Sequence, residues 1–405
     1  IREGDDWNLR RAMWLIFPAA IFTLASYIFP FIYWPEMMNY PFFLHLGWLP
    51  YKDWSMVYTP ILPYTLKYFY DLFGYTPASL HLFGTILGAV TIGLVTLKTR
   101  SFFAALFFLL SYLAFGGNSV WFDIFLTPLV LLIYFSPTPA FLFSLCVLTK
   151  QTSFYILPPI FLSVLKKPLW FLVLILLFLV YLMTNNILWD FYNWGVKFVF
   201  LLPGSGNILL PTLKQSLAVL TFLAALALTK NRKAIIFSSF TLLFAVPRFD
   251  FFHLIPFLAI FTTAVSKKPI LFLLPLLVVL PLLFKTYQLG NRFLEPEVLK
   301  ISQELPNNKT IFSLNGPDQI YFLAKIPPAV RPWVDQLPWQ MEYAKDNYYQ
   351  AFVKAKPDII ITRPYLKTPI QGLGAYKPVK IWEFVSQNYK IIKVYADGTQ
   401  ILERN

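Results

Sequence analysis

PLWFLVLILLFLVYLM, residues 168–183, runs for sixteen residues without a charge or a glycine. A helical residue advances ~1.5 Å, so with its flanks such a run reaches across a hydrocarbon core. AMWLIFPAAIFTLASYIFPFIYW, residues 12–34, repeats the pattern near the start of the chain. Over the 405 residues, 57% are hydrophobic, only 13% are charged, and Phe occurs 42 times. That balance excludes an ordinary soluble domain and predicts a polytopic α-helical membrane protein.

Clusters of Lys and Arg divide the apolar runs at Arg10/Arg11, Lys98/Arg100, Lys166/Lys167, Lys230/Arg232/Lys233 and Lys267/Lys268, which the positive-inside rule assigns to the cytoplasm. About eleven spans then fit, over residues 12–33, 78–97, 101–115, 122–135, 139–149, 152–165, 168–184, 213–229, 234–246, 251–265 and 269–285. The first is too long for a signal-peptide core and is followed by no small-residue cleavage site. The fifth is too short to cross alone, so tilted or re-entrant elements buried in protein are expected. The single cysteine, Cys146, permits no disulfide within the chain.

This topology places all six carboxylates of the membrane part after its N-terminal tail outside: Glu36, Asp53, Asp71, Asp123, Asp190 and Asp250. Lys52, Lys67, Lys150, Lys197, Lys214 and Arg248 join them there. Charge at membrane depth costs several kcal/mol unless it is paired or lines a wet cavity, so a one-sided collection of both signs points to a cavity opening outward. Asp190, Lys197 and Lys214 read as loop and interface anchors. YTLKYFYDLF, residues 64–73, reads as a short amphipathic helix lying in the interface with Lys67 and Asp71 towards water, while Lys52 and Asp53 sit in a loop over the cavity mouth.

From about residue 286 the composition turns mixed, and no later segment is long and apolar enough to span. TIFSL, DIIIT and KIIKVYA read as strands; GPDQIYFLA, QMEYAKDNYYQAFVKA and VKIWEFVSQ read as helices. The expected organisation is a transmembrane domain over 1–285 and a small extracytoplasmic α/β domain over 286–405. Asn308-Lys309-Thr310 matches a glycan acceptor pattern that is common by chance.

Five stretches in order, PEMMNYPFFLHLGWLPYKDW, TPILPY, WFDIFLTPL, LTKQTSFYILPPIF and PRFDFFHLIPF, together resemble the GT-C superfamily of integral-membrane glycosyltransferases, particularly bacterial relatives of protein O-mannosyltransferases and aminoarabinose transferases. The resemblance covers nearly the whole chain. It implies an enzyme of the plasma membrane that transfers a sugar from a polyprenyl-phosphate donor to an acceptor hydroxyl outside the cytoplasm. Glu36 matches the family's catalytic acid in the first outer loop, but Met37 follows it where many members carry a second acid. Asp53 and Asp123 match two further family acids, and Tyr40, Tyr58 and Asp250 fall at substrate-positioning places.

The residues carry their own chemistry beside that resemblance. Glycosyl transfer needs a base for the acceptor proton and cations for the growing phosphate charge. Lys150, between two short apolar segments, and Arg248, with its planar fork, are the expected phosphate ligands, with His253 a weaker one. His253 follows Asp250 by three residues and would be held by it. Other readings are that Asp53 caps a short helix beginning near Tyr58, that Asp123 serves the helix dipole, that Lys150 snorkels and that Arg248 simply pairs with Asp250.

His45, His81 and His253 are far apart in sequence, so no cofactor is expected beyond a divalent cation that Glu36 and Asp123 would hold, as in some family members. GSGN at 204–207 precedes no strand–helix unit and makes no nucleotide-sugar loop. Membrane lipids, the lipid-linked donor and an acceptor are the expected partners; the net charge of +14 gives no reason to propose nucleic acid. A lipid-linked saccharide flippase and an O-antigen ligase or polymerase are the alternatives; the first predicts midplane charges and repeated halves.

Overall fold

The computed structural model describes residues 3–201, 209–246, 248–364 and 377–405, so GSGN lies outside the described residues. The chain forms two compact units. The first comprises Ile1–Tyr33, Ala78–Phe178 and Leu210–Arg292; the second comprises Trp34–Pro77, Leu179–Leu209 and Phe293–Asn405.

All eleven expected apolar segments are helical, from Glu3–Ile28 to Leu273–Gln288. Two helices, Pro77–Thr99 and Pro269–Gln288, are long and apolar enough to cross a membrane, and a third span forms if Pro168–Thr184 and Leu188–Leu201, bent by 117°, are taken together. The loop expected after residue 184 is therefore largely helical, with Asp190 in the short helix Leu188–Phe191. Within Pro168–Thr184 only Leu182 is buried, while Leu169, Trp170, Leu176 and Leu177 are exposed. A helix apolar all round and bare on nearly every side suits lipid rather than water.

Helix starts are set locally. Ser101 accepts from Ala104 N, Asn231 accepts from Ala234 N, and Thr212 forms a capping box with Gln215. An aromatic layer fills the first unit: Phe107 stacks on Phe272 at 4.4 Å, and Phe261 lies 5.2 Å from Phe222. The turn at 116–119 is tied to the first helix, because Asn118 Nδ2 donates to the carbonyls of Ser26, Phe29 and Pro30.

In the second unit, β1 (Ile311–Leu314), β2 (Ile359–Thr362), β3 (Tyr389–Val394) and β4 (Gln400–Arg404) form a sheet in the order β1-β2-β4-β3. β1 and β2 are parallel and joined through the helix Pro338–Ala355, as a parallel pair requires. β4 was absent from the strands expected; its QILER mixes too few β-branched residues to stand out, and it is held by antiparallel pairing on both sides. Phe312, Ile360, Leu402, Phe352 and Val385 make the core beneath the sheet.

The same unit holds residues 34–77, the stretch expected to form the first outer loop. Its helices Pro35–His45 and Ile61–Phe73 pack together, with Tyr70 Oη donating to the Met37 carbonyl at 3.0 Å. Lys67 and Asp71 pair at 2.5 Å on the latter helix. Main-chain bonds from Trp333 N to Asp53 O at 2.8 Å and from Ser55 N to Trp333 O at 2.7 Å stitch this loop to the C-terminal segment.

Candidate active site

Glu36 stands in the first turn of Pro35–His45, where Pro35 at the first helical position and the exposed N–H end of the helix suit an acid. Its Oε2 is enclosed and has no hydrogen-bond partner. Burial pushes its carboxyl up to about 7. One turn on, Tyr40 is buried and donates its hydroxyl to Asp335 Oδ2 at 2.5 Å. Asp335 is 3% exposed and also receives Gln340 Nε2 at 3.2 Å; Gln340 in turn accepts from Ser55 Oγ at 2.7 Å. Asp318 lies on the same side: its main-chain carbonyl receives Asn39 Nδ2 at 2.9 Å, and its Oδ1 has no partner. Burial, and then the neighbouring Glu36, raise both aspartates well above the carboxylate range.

Asp318 and Asp335 are the functional candidates that sequence reasoning missed. The available signal was an acid placed among apolar and turn residues in NGPDQIYF and PWVDQLPW, in a segment 280 residues or more from Glu36 along the chain, where no spacing rule operates.

Asp53 is 5% exposed and takes no cap position near Tyr58, since that helix begins at Ile61 after Pro60. Arg331 grips it in a fork, Nε to Oδ1 at 2.8 Å and Nη2 to Oδ2 at 2.7 Å, and Leu49 N adds a bond at 2.7 Å. The guanidinium also lies 4.9 Å from the Trp48 ring. With both oxygens engaged, Asp53 fixes the loop. Tyr58 offers its main-chain carbonyl to the Tyr51 hydroxyl at 2.9 Å.

A second cluster lies in the first unit. Asp123, wholly buried in the first turn of Phe122–Phe135, receives Lys150 Nζ on both oxygens at 2.8 and 2.7 Å and His253 Nδ1 at 2.6 Å. Lys150, expected to meet a donor phosphate, is closed on this carboxylate because a buried ammonium is stabilised by the nearest acid. His253, expected to be held by Asp250, is held by Asp123. Asp250 is occupied at its own helix start, with Oδ1 accepting from Phe251 N at 2.7 Å. Because an ionised carboxylate only accepts, the Asp123 contact places the ring proton of His253 on Nδ1. Arg248 and Asp250 are partly exposed just before that turn. Among the described residues, no group of three or more His, Cys, Asp or Glu is placed to hold a metal ion.

No protein-family model matches the chain, and no curated protein matches it. Solved structures do. ArnT from Cupriavidus metallidurans in the apo state is similar with a TM-score of 0.59 at 13% identity, over 99% of this chain and 98% of that one. ArnT from the same organism bound to undecaprenyl phosphate is similar with a TM-score of 0.53 at 13% identity, over 96% of this chain and 97% of that one. The resemblance read from ordered motifs is thus matched by the backbone: over nearly its whole length this chain has the fold of ArnT, a GT-C family aminoarabinose transferase.

Proposed function

We propose that this chain is a glycosyltransferase that moves a sugar from a polyprenyl-phosphate carrier to an acceptor hydroxyl at the extracytoplasmic face of the membrane. The observation that carries the reading is Glu36: an outer-loop carboxyl with an enclosed, unpartnered oxygen, raised by burial to about 7, in a chain with a GT-C fold. A carboxyl near neutral is matched to general-base work. The undecaprenyl phosphate bound by one ArnT structure supports a lipid-phosphate donor here.

In this reading Glu36 takes the acceptor's proton as the acceptor oxygen bonds to the sugar's anomeric carbon. The bond from that carbon to the phosphate oxygen breaks, and its electron pair leaves with the polyprenyl phosphate. Within the first unit, Arg248 carries a fork suited to phosphate oxygens, and Asp123 orients His253 while Lys150 neutralises Asp123. Asp53, Tyr40, Tyr58 and Asp250 position loops rather than react.

The test is mass-spectrometric detection of transfer by purified protein from a panel of polyprenyl-phosphate sugars to membrane-extract acceptors. Glu36→Gln keeps the shape and removes the base, and is expected to lower turnover by roughly 10²–10⁴-fold. Wild-type turnover is expected to rise as pH passes upward through about 7, where Glu36 loses its proton. A wild type that neither transfers nor hydrolyses any of the donors sinks the reading.

A further inference from the structure

We propose that Trp34 and Phe293 form an aromatic platform for a pyranose ring, holding the sugar of a lipid-linked donor or of an acceptor by its C–H face beside Glu36. This rests on the transfer reading of Glu36 and adds to it two substrate-contacting residues from distant stretches of the chain.

The two rings lie 5.3 Å apart between centres, with 36° between their planes. Trp34 is joined to Glu36 through Pro35 alone, so the indole and the carboxyl are neighbours by covalent connection. A closed circuit of contacts fixes the other ring. Asn39, on the same helix as Glu36 and three residues after it, donates Nδ2 to the Asp318 carbonyl at 2.9 Å. The next residue, Gln319, donates Nε2 to the Phe293 carbonyl at 2.8 Å, and the Phe293 ring returns to Trp34. Asn39 is 0% and Gln319 2% exposed, whereas Trp34, Glu36, Phe293 and Asp318 are only half-buried. The holders are closed and the groups they hold are open, as a binding surface requires. Tyr40, Trp54, Tyr321 and Trp333, in the same unit, are buried and serve its core instead.

Neither ring stands where local preference would put it. Trp34 occupies the N-cap of Pro35–His45 with no side-chain cap bond, a position that favours Ser, Thr, Asp or Asn. Phe293 has φ 63°, in the left-handed region that a bulky side chain rarely adopts. Two touching residues that each break a local rule beside a candidate catalytic acid are expected where function, rather than folding, dictates the side chain.

The chemistry of the open groups names the ligand. An aromatic face takes an apolar surface, and carboxyl oxygens accept hydrogen bonds. A pyranose offers both partners, with C–H bonds on a ring face and hydroxyl donors around its edge. An isoprenyl chain has no donor for Glu36 or Asp318, and a phosphate would set negative charge against them. The group on the rings is therefore the sugar and not its carrier.

The test reads binding and needs no turnover. Native mass spectrometry of the purified full chain compares undecaprenyl-phosphate glucose, mannose and galactose with bare undecaprenyl phosphate, and separately measures methyl glycosides of the same sugars. Wild type is expected to hold a sugar-bearing lipid roughly tenfold more tightly than the bare lipid, or to hold a glycoside. Trp34→Leu and Phe293→Leu are expected to abolish that sugar-dependent binding while holding bare lipid as wild type does, and Trp34→Phe to keep most of it. Loss among the lipids puts the donor's sugar on the rings; loss confined to the glycosides puts the acceptor's sugar there. A wild type that holds no sugar of either kind overturns the proposal, as does sugar-dependent binding that survives both Leu variants. Equal weakening of bare and sugar-bearing lipid in the Leu variants also overturns it, since a merely structural pair would act in that way. Ring-dependent sugar binding in a chain that turns over no lipid-linked donor supports the platform and sinks the transfer reading alone.

Discussion

Two aspartates of this chain show how the same side chain is used in opposite ways. Asp123 has lost all contact with water but is met by the Lys150 ammonium and the His253 ring, whereas Asp335, almost as deeply buried, meets no cation among the described residues. For Asp123 the ion pair is the condition of burial. Taking away one partner of such a pair costs about 3–5 kcal/mol, because the other charge stays behind in a dry site. Lys150→Met is therefore expected to destabilise the protein by about that much, and Lys150→Met with Asp123→Asn by clearly less than the sum of the two single changes. Thermal unfolding of the four proteins in one detergent measures the cycle; strict additivity would mean that the contact carries no energy. At Glu36 the sign is reversed. Its folded form keeps a proton that the unfolded chain gives up at ordinary carboxylate pH, so its contribution to stability falls as pH rises towards about 7.

Helices in the first unit approach one another at glycines. In Pro77–Thr99, a Cβ at Gly88 would fall well inside van der Waals contact with Phe22, and one at Gly84 would come within 2.8 Å of Phe31. Phe22 cannot easily retreat, since it is wholly buried and edge-on to Tyr112 at 5.5 Å. Gly88→Ala gains about 1 kcal/mol in helix propensity, but overpacking costs about 1–3 kcal/mol. The net change is expected to be destabilising, with Phe22→Leu recovering part of the loss; a more stable Gly88→Ala protein in detergent melts would show that this close approach is not tight. Elements of this kind were legible in sequence because apolar length is a local property, and every expected apolar segment is helical. The strands over 311–314, 359–362 and 389–394 were legible for the same reason. β4 was not, because pairing on both edges rather than its own composition makes it a strand. Partners of single charges were harder still. Lys150 could be placed at depth from its flanks, but the carboxylate that meets it is 27 residues away, and the one that meets His253 is 130 residues away.

At the scale of the molecule, composition separates the apolar part from the stretch after about residue 286, yet the second unit draws on three stretches of chain. The loop 34–77 is held to the C-terminal segment by specific bonds: Asp53 to Arg331, Ser55 to the main chain of Trp333, Tyr40 to Asp335 and Asn39 to Asp318. Trp333, almost fully buried, also packs on Phe43 with ring centres 5.3 Å apart. The two helices of the loop are 11 and 13 residues long, near the limit at which an isolated helix is marginal in water. Their order must therefore come from what they pack against. A chain ending at Arg292 removes every one of those partners while keeping the apolar helices that precede it. Its first unit is expected to insert and fold, and its loop is expected to open: trypsin should cut at Lys52 and Lys67 at least about tenfold faster than in the full chain, with the helices on either side still protected. Equal cutting rates would show that the loop folds on its own. Faster cutting confined to 34–77 would mean that this stretch, Glu36 included, takes its fold only once the last quarter of the chain has folded, so that Glu36 and the residues around it are joined by folding rather than by sequence.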